Sequence, residues 1–164
     1  MYGFKKLKMK FITRLIIVLL TMGCSERITN KENLIFQGNH LAVMVNNLKV
    51  TGDFYSEILK IEEIDIKSTG LTHRWFKLND GFEVHLVKSI ETLPKKNRNN
   101  HLAIQTDDIN AMVDYLQKEK IEFSDWFGNI NKVQERFDGV LQVYIEDPEG
   151  NWIEINQKSN ENKG

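Results

Sequence analysis

The sequence predicts an α+β fold made of two similar modules, each with the order β-α-β-β-β. The tetrapeptide Asn-His-Leu-Ala occurs twice, at residues 39–42 and at residues 100–103. Each copy opens a stretch in which a potential metal ligand follows a glycine by four positions, at residues 81–85 and 150–154. Because strand and helix patterns also recur in the same order, an internal repeat explains these matches better than chance.

Module one begins at the first tetrapeptide. An uninterrupted apolar run from His40 predicts a buried strand, and the next segment spaces its apolar side chains roughly as a helix does. A segment of alternating apolar and charged residues then predicts a half-buried strand. The Asn79-Asp-Gly81 turn joins two further strands, because glycine supplies the positive φ that a tight hairpin needs. The predicted elements are strands at residues 40–45, 61–67, 74–78 and 82–87 and a helix at residues 48–59.

Module two repeats this order from His101. Asp107 and Asp108 can cap a helix, whose apolar residues then recur along one face as far as about Glu119. Asp147-Pro-Glu-Gly150 is a turn before the last strand. The predicted strands of this module are residues 101–105, 121–127, 140–145 and 152–155.

The N-terminus has the pattern of an export signal. Basic residues from Lys5 to Arg14 precede the apolar run at residues 15–20, and Gly23-Cys24 follows. The run is too short to span a bilayer, which needs about 20 apolar residues. Gly23-Cys24 resembles the end of a bacterial lipobox, although Thr21 stands where leucine is usual. The interpretation is a lipoprotein signal with lipidation at Cys24; another signal or anchor, or an uncleaved cytosolic extension, are the alternatives.

These patterns divide the chain into a signal peptide at residues 1–24, a polar tether at 25–37, the two-module domain at 38–158 and a polar tail at 159–164. A lipidated chain would be anchored in the cell envelope and face away from the cytoplasm, whereas an unprocessed chain would be cytoplasmic. Without residues 1–23, the chain keeps 17 of its 22 basic residues and all 23 acidic ones. The mature domain is therefore acidic, which argues against nucleic acid as its main partner.

The candidate metal ligands are the chemistry-bearing residues at equivalent points of the repeat: His40, His85, His101 and Glu154. Imidazole and carboxylate together suit Zn²⁺, Fe²⁺, Ni²⁺ or Mn²⁺. A single histidine on a strand is more often a packed residue than a ligand, so the repeat is what favours ligation. Cys24 is the only cysteine, which excludes an intramolecular disulfide and a thiolate cluster.

The repeated motifs resemble the vicinal oxygen chelate superfamily, which includes glyoxalase I, extradiol dioxygenases, fosfomycin-resistance enzymes and bleomycin-resistance proteins. The resemblance covers about residues 38–157. The stretches that carry it are Asn39-His-Leu-Ala-Val, Phe54-Tyr-Ser-Glu-Ile-Leu, Phe82-Glu-Val-His-Leu86, Asn100-His-Leu-Ala-Ile and Tyr144-Ile-Glu-Asp-Pro-Glu-Gly-Asn-Trp-Ile-Glu154. It implies that the paired modules form a curved, mostly antiparallel sheet around one divalent metal ion. It also implies that His40, His85, His101 and Glu154 hold that ion.

The resemblance implies a metal-dependent enzyme that chelates two vicinal oxygens of a small molecule and stabilises an anionic intermediate, as a lyase, isomerase or dioxygenase. Glu154 is the nearest candidate base. Glyoxalase I usually has glutamate where this chain has His85, and this departure weakens a glyoxalase assignment. Two histidines and one carboxylate instead resemble the set of extradiol dioxygenases and fosfomycin-resistance enzymes. The alternative function is non-catalytic sequestration of a small molecule, as in bleomycin resistance. Members of the family also form homodimers, so a second copy is a candidate partner.

Other residues near these positions have two interpretations. Arg74 and Arg136 are candidates for binding an anionic substrate, or else solvated surface residues. Four aromatic residues are expected to belong to the core, with lining of the substrate pocket by some of them as the alternative: Trp75, Trp126, Phe127 and Trp152.

Overall fold

A computed structural model describes residues 35–66 and 71–159 of the chain. The signal peptide, Cys24, most of the tether and most of the tail lie outside these ranges. From Gly38 onward the described residues form one compact unit. None of the helices in the two ranges has the length and apolar character that a bilayer crossing requires.

Each module forms its own four-stranded sheet. In module one the strand order is β1-β4-β3-β2, and in module two it is β5-β8-β7-β6. The first strand of each module pairs in parallel with the last, and the other pairings are antiparallel. Module one contains β1 (His40–Val45), α1 (Leu48–Asp53), a π-helical turn (Phe54–Ile58), β2 (Glu62–Ile64), β3 (His73–Lys77) and β4 (Glu83–Lys88). Module two contains β5 (His101–Thr106), α2 (Ile109–Lys118), β6 (Gln134–Glu135), β7 (Leu141–Glu146) and β8 (Trp152–Gln157). The α+β class and the repeated β-α-β-β-β order are confirmed.

The strand register places the candidate ligands at equivalent points of the two sheets. Ala42 of β1 pairs with His85 of β4, and Ala103 of β5 pairs with Glu154 of β8. Residues that alternate with these ligands point to the opposite face and are buried in the core beneath the helices. This buried set comprises Val84, Leu86, Ile153 and Ile155. The repeat therefore extends from the sequence to the packing of the sheet.

The predicted strand at residues 121–127 is wrong. This segment is a loop in which only Ser124 makes isolated bridges, to Ile130 and to Tyr144. The chain turns because the carboxylate of Asp125 accepts hydrogen bonds from the backbone N–H and the side-chain amide of Asn129, at 2.9 and 2.7 Å. A buried Phe123 gives the segment its strand-like apolar character. The second strand of the module is instead the short β6.

Two contacts fasten the modules to each other. The Glu149 carboxylate, in the turn before β8, accepts hydrogen bonds from the backbone N–H groups of Asn46 and Asn47 at the start of α1. The hydroxyl of Tyr115 on α2 donates to the carbonyl of Ile58, at 2.8 Å. Both contacts join the two modules on the side of the domain that carries the helices. Neither contact covers β1, which is an edge strand of its sheet.

Arg74 is a structural residue of module one. Its guanidinium donates to the carboxylates of Glu63 at 2.6 and 2.7 Å and of Asp53 at 2.9 Å, and to the Lys49 carbonyl at 3.0 Å. Hydrogen bonding to Glu63 raises the pKa of Arg74 above its ordinary value. These partners hold the guanidinium within module one, and binding of an anionic substrate by Arg74 stays a prediction.

Replacing Gly52 with alanine is expected to displace Arg74. A Cβ at position 52 would lie 2.1 Å from Nη1 of Arg74, which is closer than two non-bonded atoms can approach. Although alanine favours helix by about 1 kcal/mol over glycine, we expect a net loss of about 2 kcal/mol in the free energy of unfolding, measured by urea denaturation. Val50→Ala on the same helix is the control, because Val50 is 48 % exposed. A Gly52→Ala protein as stable as the control would contradict this packing.

Candidate metal site

The four predicted ligands lie in two pairs, one in each sheet. We call His101 and Glu154 with their neighbours Tyr144 and Asn156 the module-two half-site. The module-one half-site comprises His40, His85, Glu83 and Trp75. Within residues 35–66 and 71–159 no group of three or more histidine, aspartate or glutamate side chains is arranged to hold a metal ion. The joint four-ligand site therefore stays a prediction, and each half is described separately.

In the module-two half-site the imidazole of His101 faces the carboxylate of Glu154. Nε2 of His101 is 3.3 Å from Oε2 of Glu154, and Glu154 is only 6 % exposed. The Asn156 side-chain amide donates to Oε1 at 2.7 Å, and the Tyr144 hydroxyl donates to Oε2. Both carboxylate oxygens are thus fixed in direction by neighbours from β7 and β8.

The tautomer of His101 follows from its other nitrogen. Nδ1 lies 2.7 Å from the backbone carbonyl of Arg98, and a carbonyl oxygen only accepts hydrogen bonds. Nδ1 must therefore carry the proton, and in a neutral imidazole Nε2 presents its lone pair to the Glu154 carboxylate. This contact is favourable only when a proton on Nε2 or a cation lies between the two atoms. Their separation also suits two neighbouring ligands of one ion, which lie about 3.0–3.4 Å apart when each bond is about 2.1 Å.

Tyr144 remains a hydrogen-bond donor to this carboxylate. Burial, followed by the hydrogen bond to Glu154, raises the pKa of the Tyr144 phenol well above its ordinary value. The phenol consequently keeps its proton at physiological pH. Its ring also packs edge-on against His101, with ring centroids 5.6 Å apart. Tyr144 thus supports both candidate ligands of its half-site.

The module-one half-site is a stack of rings. The imidazole of His85 lies between the indole of Trp75 and the imidazole of His40, with centroid distances of 3.7 and 4.3 Å. Nδ1 of His40 contacts Oδ1 of Asn39 at 2.6 Å, which leaves Nε2 for a ligand, as in His101. Nε2 of His85 instead contacts Glu83 at 2.8 Å. His85 could bind a metal through Nε2 only by giving up that partner.

The two-residue period of a strand places Glu83 on the face of His85 and Asn156 on the face of Glu154 from the sequence alone. Tyr144 is the residue of these half-sites that sequence reasoning missed. Tyr144 reaches Glu154 from the neighbouring strand, through a register that the sequence does not reveal.

The expectation that the large aromatic residues belong to the core is wrong. Trp75 stacks on His85, and Trp126 packs edge-on against Tyr144 with ring centroids 5.6 Å apart. Phe127 is 78 % exposed. Trp75 and Trp126 therefore pack beside the half-sites, and all four rings lie outside the core cluster. Arg136 also lies at this edge, with Nη1 3.9 Å from Oε1 of Glu154 and Nη2 2.7 Å from Asp138.

Each half-site adjoins a cavity. A cavity of about 600 Å³ is lined by Tyr144 and Trp152 of module two, by Phe54 of module one and by Arg98 of the linker between the modules. A second, of about 420 Å³, is lined by Ile64 and Trp75 and other residues of β2 and β3. The cavity beside module two has the size of an ordinary small-molecule site.

Comparisons with known proteins agree with this architecture. The family model described as the Glyoxalase/Bleomycin resistance protein/Dioxygenase superfamily matches residues 37–155. The chain is 29 % identical over 126 residues to the uncharacterized protein YwbC of Bacillus subtilis (strain 168), covering 73 % of this chain and 96 % of that protein. A crystal structure assigned to the glyoxalase family, from Bacillus anthracis, is 25 % identical and has a TM-score of 0.63, covering 77 % of this chain and 98 % of its own. The fosfomycin resistance protein FosX of Listeria monocytogenes is 20 % identical with a TM-score of 0.59, covering 78 % and 98 %, a likeness that shows the fold alone.

Proposed function

The chain belongs to the Glyoxalase/Bleomycin resistance protein/Dioxygenase superfamily, and we propose that it is a metal-dependent enzyme acting on a small molecule with two vicinal oxygens. Members of this superfamily include lyases, dioxygenases and resistance proteins, and they commonly use a divalent metal ion. The proposed reaction is a lyase, isomerase or dioxygenase reaction that passes through an anionic intermediate. The ion is Zn²⁺, Ni²⁺, Mn²⁺ or Fe²⁺.

The observation that carries this proposal is the pair His101 and Glu154. Nε2 of His101 lies 3.3 Å from a carboxylate oxygen of Glu154, with both groups oriented by hydrogen bonds to other residues. Such oriented donors are what a divalent ion requires of its protein ligands. His40, whose Nδ1 is likewise engaged by another residue, would complete a set of two histidines and one carboxylate through Nε2.

When bound, the ion supplies a Lewis acid that stabilises negative charge developing on substrate oxygens. The protein's own residues orient the reacting groups around it. Tyr144 and Asn156 hold the two oxygens of Glu154, so this carboxylate is better placed as a fixed ligand than as a mobile base. Each carboxylate oxygen keeps a second lone pair, through which Glu154 could coordinate the ion or accept a substrate proton.

A second copy of the chain is proposed to complete the site. The two half-sites of one chain do not converge within the described ranges, and β1 is an edge strand that carries His40. Its apolar side chains Leu41 and Met44 are 37 and 49 % exposed. An exposed edge strand with apolar side chains is a surface that proteins normally cover. Pairing of two copies would cover it and could place His40 of one copy beside Glu154 of the other.

Sequestration without turnover is the second candidate function. One observation favours it: Nε2 of His85 is engaged by Glu83 rather than left for a metal. The cavity beside the module-two half-site would then hold a ligand against Tyr144 and Trp152. Variants of His101 and Glu154 discriminate the two functions, since ligand binding that survives both without metal would favour sequestration.

The proposed location is the cell envelope, with a lipid anchor on Cys24. The support is the basic and apolar N-terminal pattern that precedes Gly23-Cys24. Metabolic labelling with a fatty-acid analogue should mark the wild-type protein and leave Cys24→Ala unmarked. Equal labelling of both proteins, or none of either, would refute the lipid anchor.

Metal titration of chelator-treated protein tests the proposed enzyme class. At a free metal concentration 100 times the dissociation constant, the cognate ion should raise the free energy of unfolding by about 2.7 kcal/mol. His73→Ala is the control for adventitious histidine binding, because His73 belongs to neither half-site, and it should respond as the wild type does. Failure of all four ions to bind or to stabilise the protein would refute the proposal.

A further inference from the structure

Arg98 lies in the linker between the modules and contacts several elements of module two. Its guanidinium donates to the backbone carbonyls of Asp125 and Trp126 and, at 3.3 Å, to the hydroxyl of Ser124. It also stacks on the indole of Trp152, 3.9 Å from the ring centroid. The planar fork of arginine suits this combination of stacking and divergent hydrogen bonds.

The backbone of the same residue holds a candidate ligand. The Arg98 carbonyl accepts the Nδ1 proton of His101 at 2.7 Å, three residues along the chain. Trp152, on which the guanidinium stacks, is the strand partner of His101 across β5 and β8. The side chain thus holds the linker against the strand and the loop that flank His101. The carbonyl that accepts from His101 belongs to the same residue and is held in place with it.

We propose that Arg98 is a positioning residue that fixes the tautomer and orientation of His101 through its own carbonyl. With the guanidinium bound to the Ser124–Trp126 loop and to Trp152, the linker cannot swing the carbonyl away from Nδ1. The Nδ1 proton stays in place and the Nε2 lone pair stays directed at Glu154. All the guanidinium contacts described above are to the protein, so Arg98 acts on the histidine rather than on a substrate anion.

The tautomer is measured directly by ¹⁵N NMR of the imidazoles in metal-free protein at about pH 8.5, where an ordinary imidazole is neutral. The wild type should show His101 protonated at Nδ1 alone. In Arg98→Ala the two His101 nitrogens should move towards the averaged shifts of exchanging tautomers. Arg98→Lys, which keeps the charge but not the fork, should give intermediate shifts. A folded Arg98→Lys or Arg98→Ala protein with unchanged His101 shifts would overturn the proposal.

A second measurement uses Zn²⁺ alone as the probe and rests on the proposed function. Loss of an outer-shell partner of a ligating histidine costs 10- to 100-fold in metal affinity, so Arg98→Ala should weaken Zn²⁺ binding by on the order of tenfold. Lys96→Ala is the matched control, because Lys96 belongs to the same linker but donates to Met44 of β1. Unchanged Zn²⁺ affinity in Arg98→Ala would contradict the role of Arg98. Absence of Zn²⁺ binding in every protein, with the tautomer change still observed, would instead refute the proposed function alone.

Discussion

Glu154→Gln is expected to weaken binding of the cognate divalent ion by at least about 100-fold, more than the loss of an outer-shell partner costs. The amide keeps the size of the side chain and can still accept from Tyr144 or Asn156, but it lacks the charge that neutralises the ion. Isothermal titration of metal-free protein measures the change directly.

The same substitution should leave the metal-free protein at least as stable as the wild type. Glu154 is a buried carboxylate whose oxygen faces the Nε2 lone pair of His101, and glutamine can turn its N–H₂ group towards that nitrogen. Glu146→Gln is the control, since Glu146 is an exposed residue at the end of β7. If both glutamine variants bind metal as the wild type does, Glu154 is not a ligand.

Two inactive variants should restore metal binding when they are combined, if each site takes one half from each copy. His40→Ala and His101→Ala each damage a different half-site, so neither homodimer should bind the ion at wild-type affinity. When the variants are co-expressed in equal amounts, random pairing makes half of the dimers mixed, and each mixed dimer has one intact site. We therefore expect about one quarter of the wild-type binding capacity at wild-type affinity.

A metal site formed within a single chain predicts the opposite result. If one chain brings both of its own half-sites together, every chain in the mixture carries a damaged site, and no high-affinity binding returns. Co-expression of His101→Ala with Glu154→Gln is the control, because both substitutions remove a predicted ligand from the module-two half-site and pairing cannot separate them. Recovery in the control would show that the measurement does not report the division of the site between copies.

The repeat made most of the fold predictable. His85 and Glu154 were placed at equivalent points by their distance from a glycine, and the strand register confirms that equivalence. Period-two alternation also indicated that Leu86 and Ile155 point away from the ligands into the core. The segment at residues 121–127 was misassigned because burial of one residue, Phe123, looks the same in a loop as in a strand. The Asp125 hydrogen bonds that bend this loop involve a residue outside the segment.

The environment of the ligands was less predictable, because it is built by residues distant in sequence. Tyr144 reaches Glu154 through the register of β7 and β8, and Arg98 reaches His101 through the fold of the linker. Neither arrangement has a local pattern in the sequence. Glu83 was within reach of the sequence, since it shares a strand face with His85. Its contact with Nε2 distinguishes His85 from the other two histidines. Glu83 lies 2.8 Å from Nε2 of His85, whereas the hydrogen bonds to Asn39 and to the Arg98 carbonyl engage Nδ1 of His40 and of His101.

The most direct test of the central claim, that the half-sites share one divalent ion, is anomalous diffraction from crystals grown with the cognate metal. The account predicts a single strong peak per pair of half-sites, about 2.0–2.2 Å from Nε2 of His101 and of His40 and from an oxygen of Glu154. A protein without such a peak, or with its peak away from both His101 and Glu154, would contradict it.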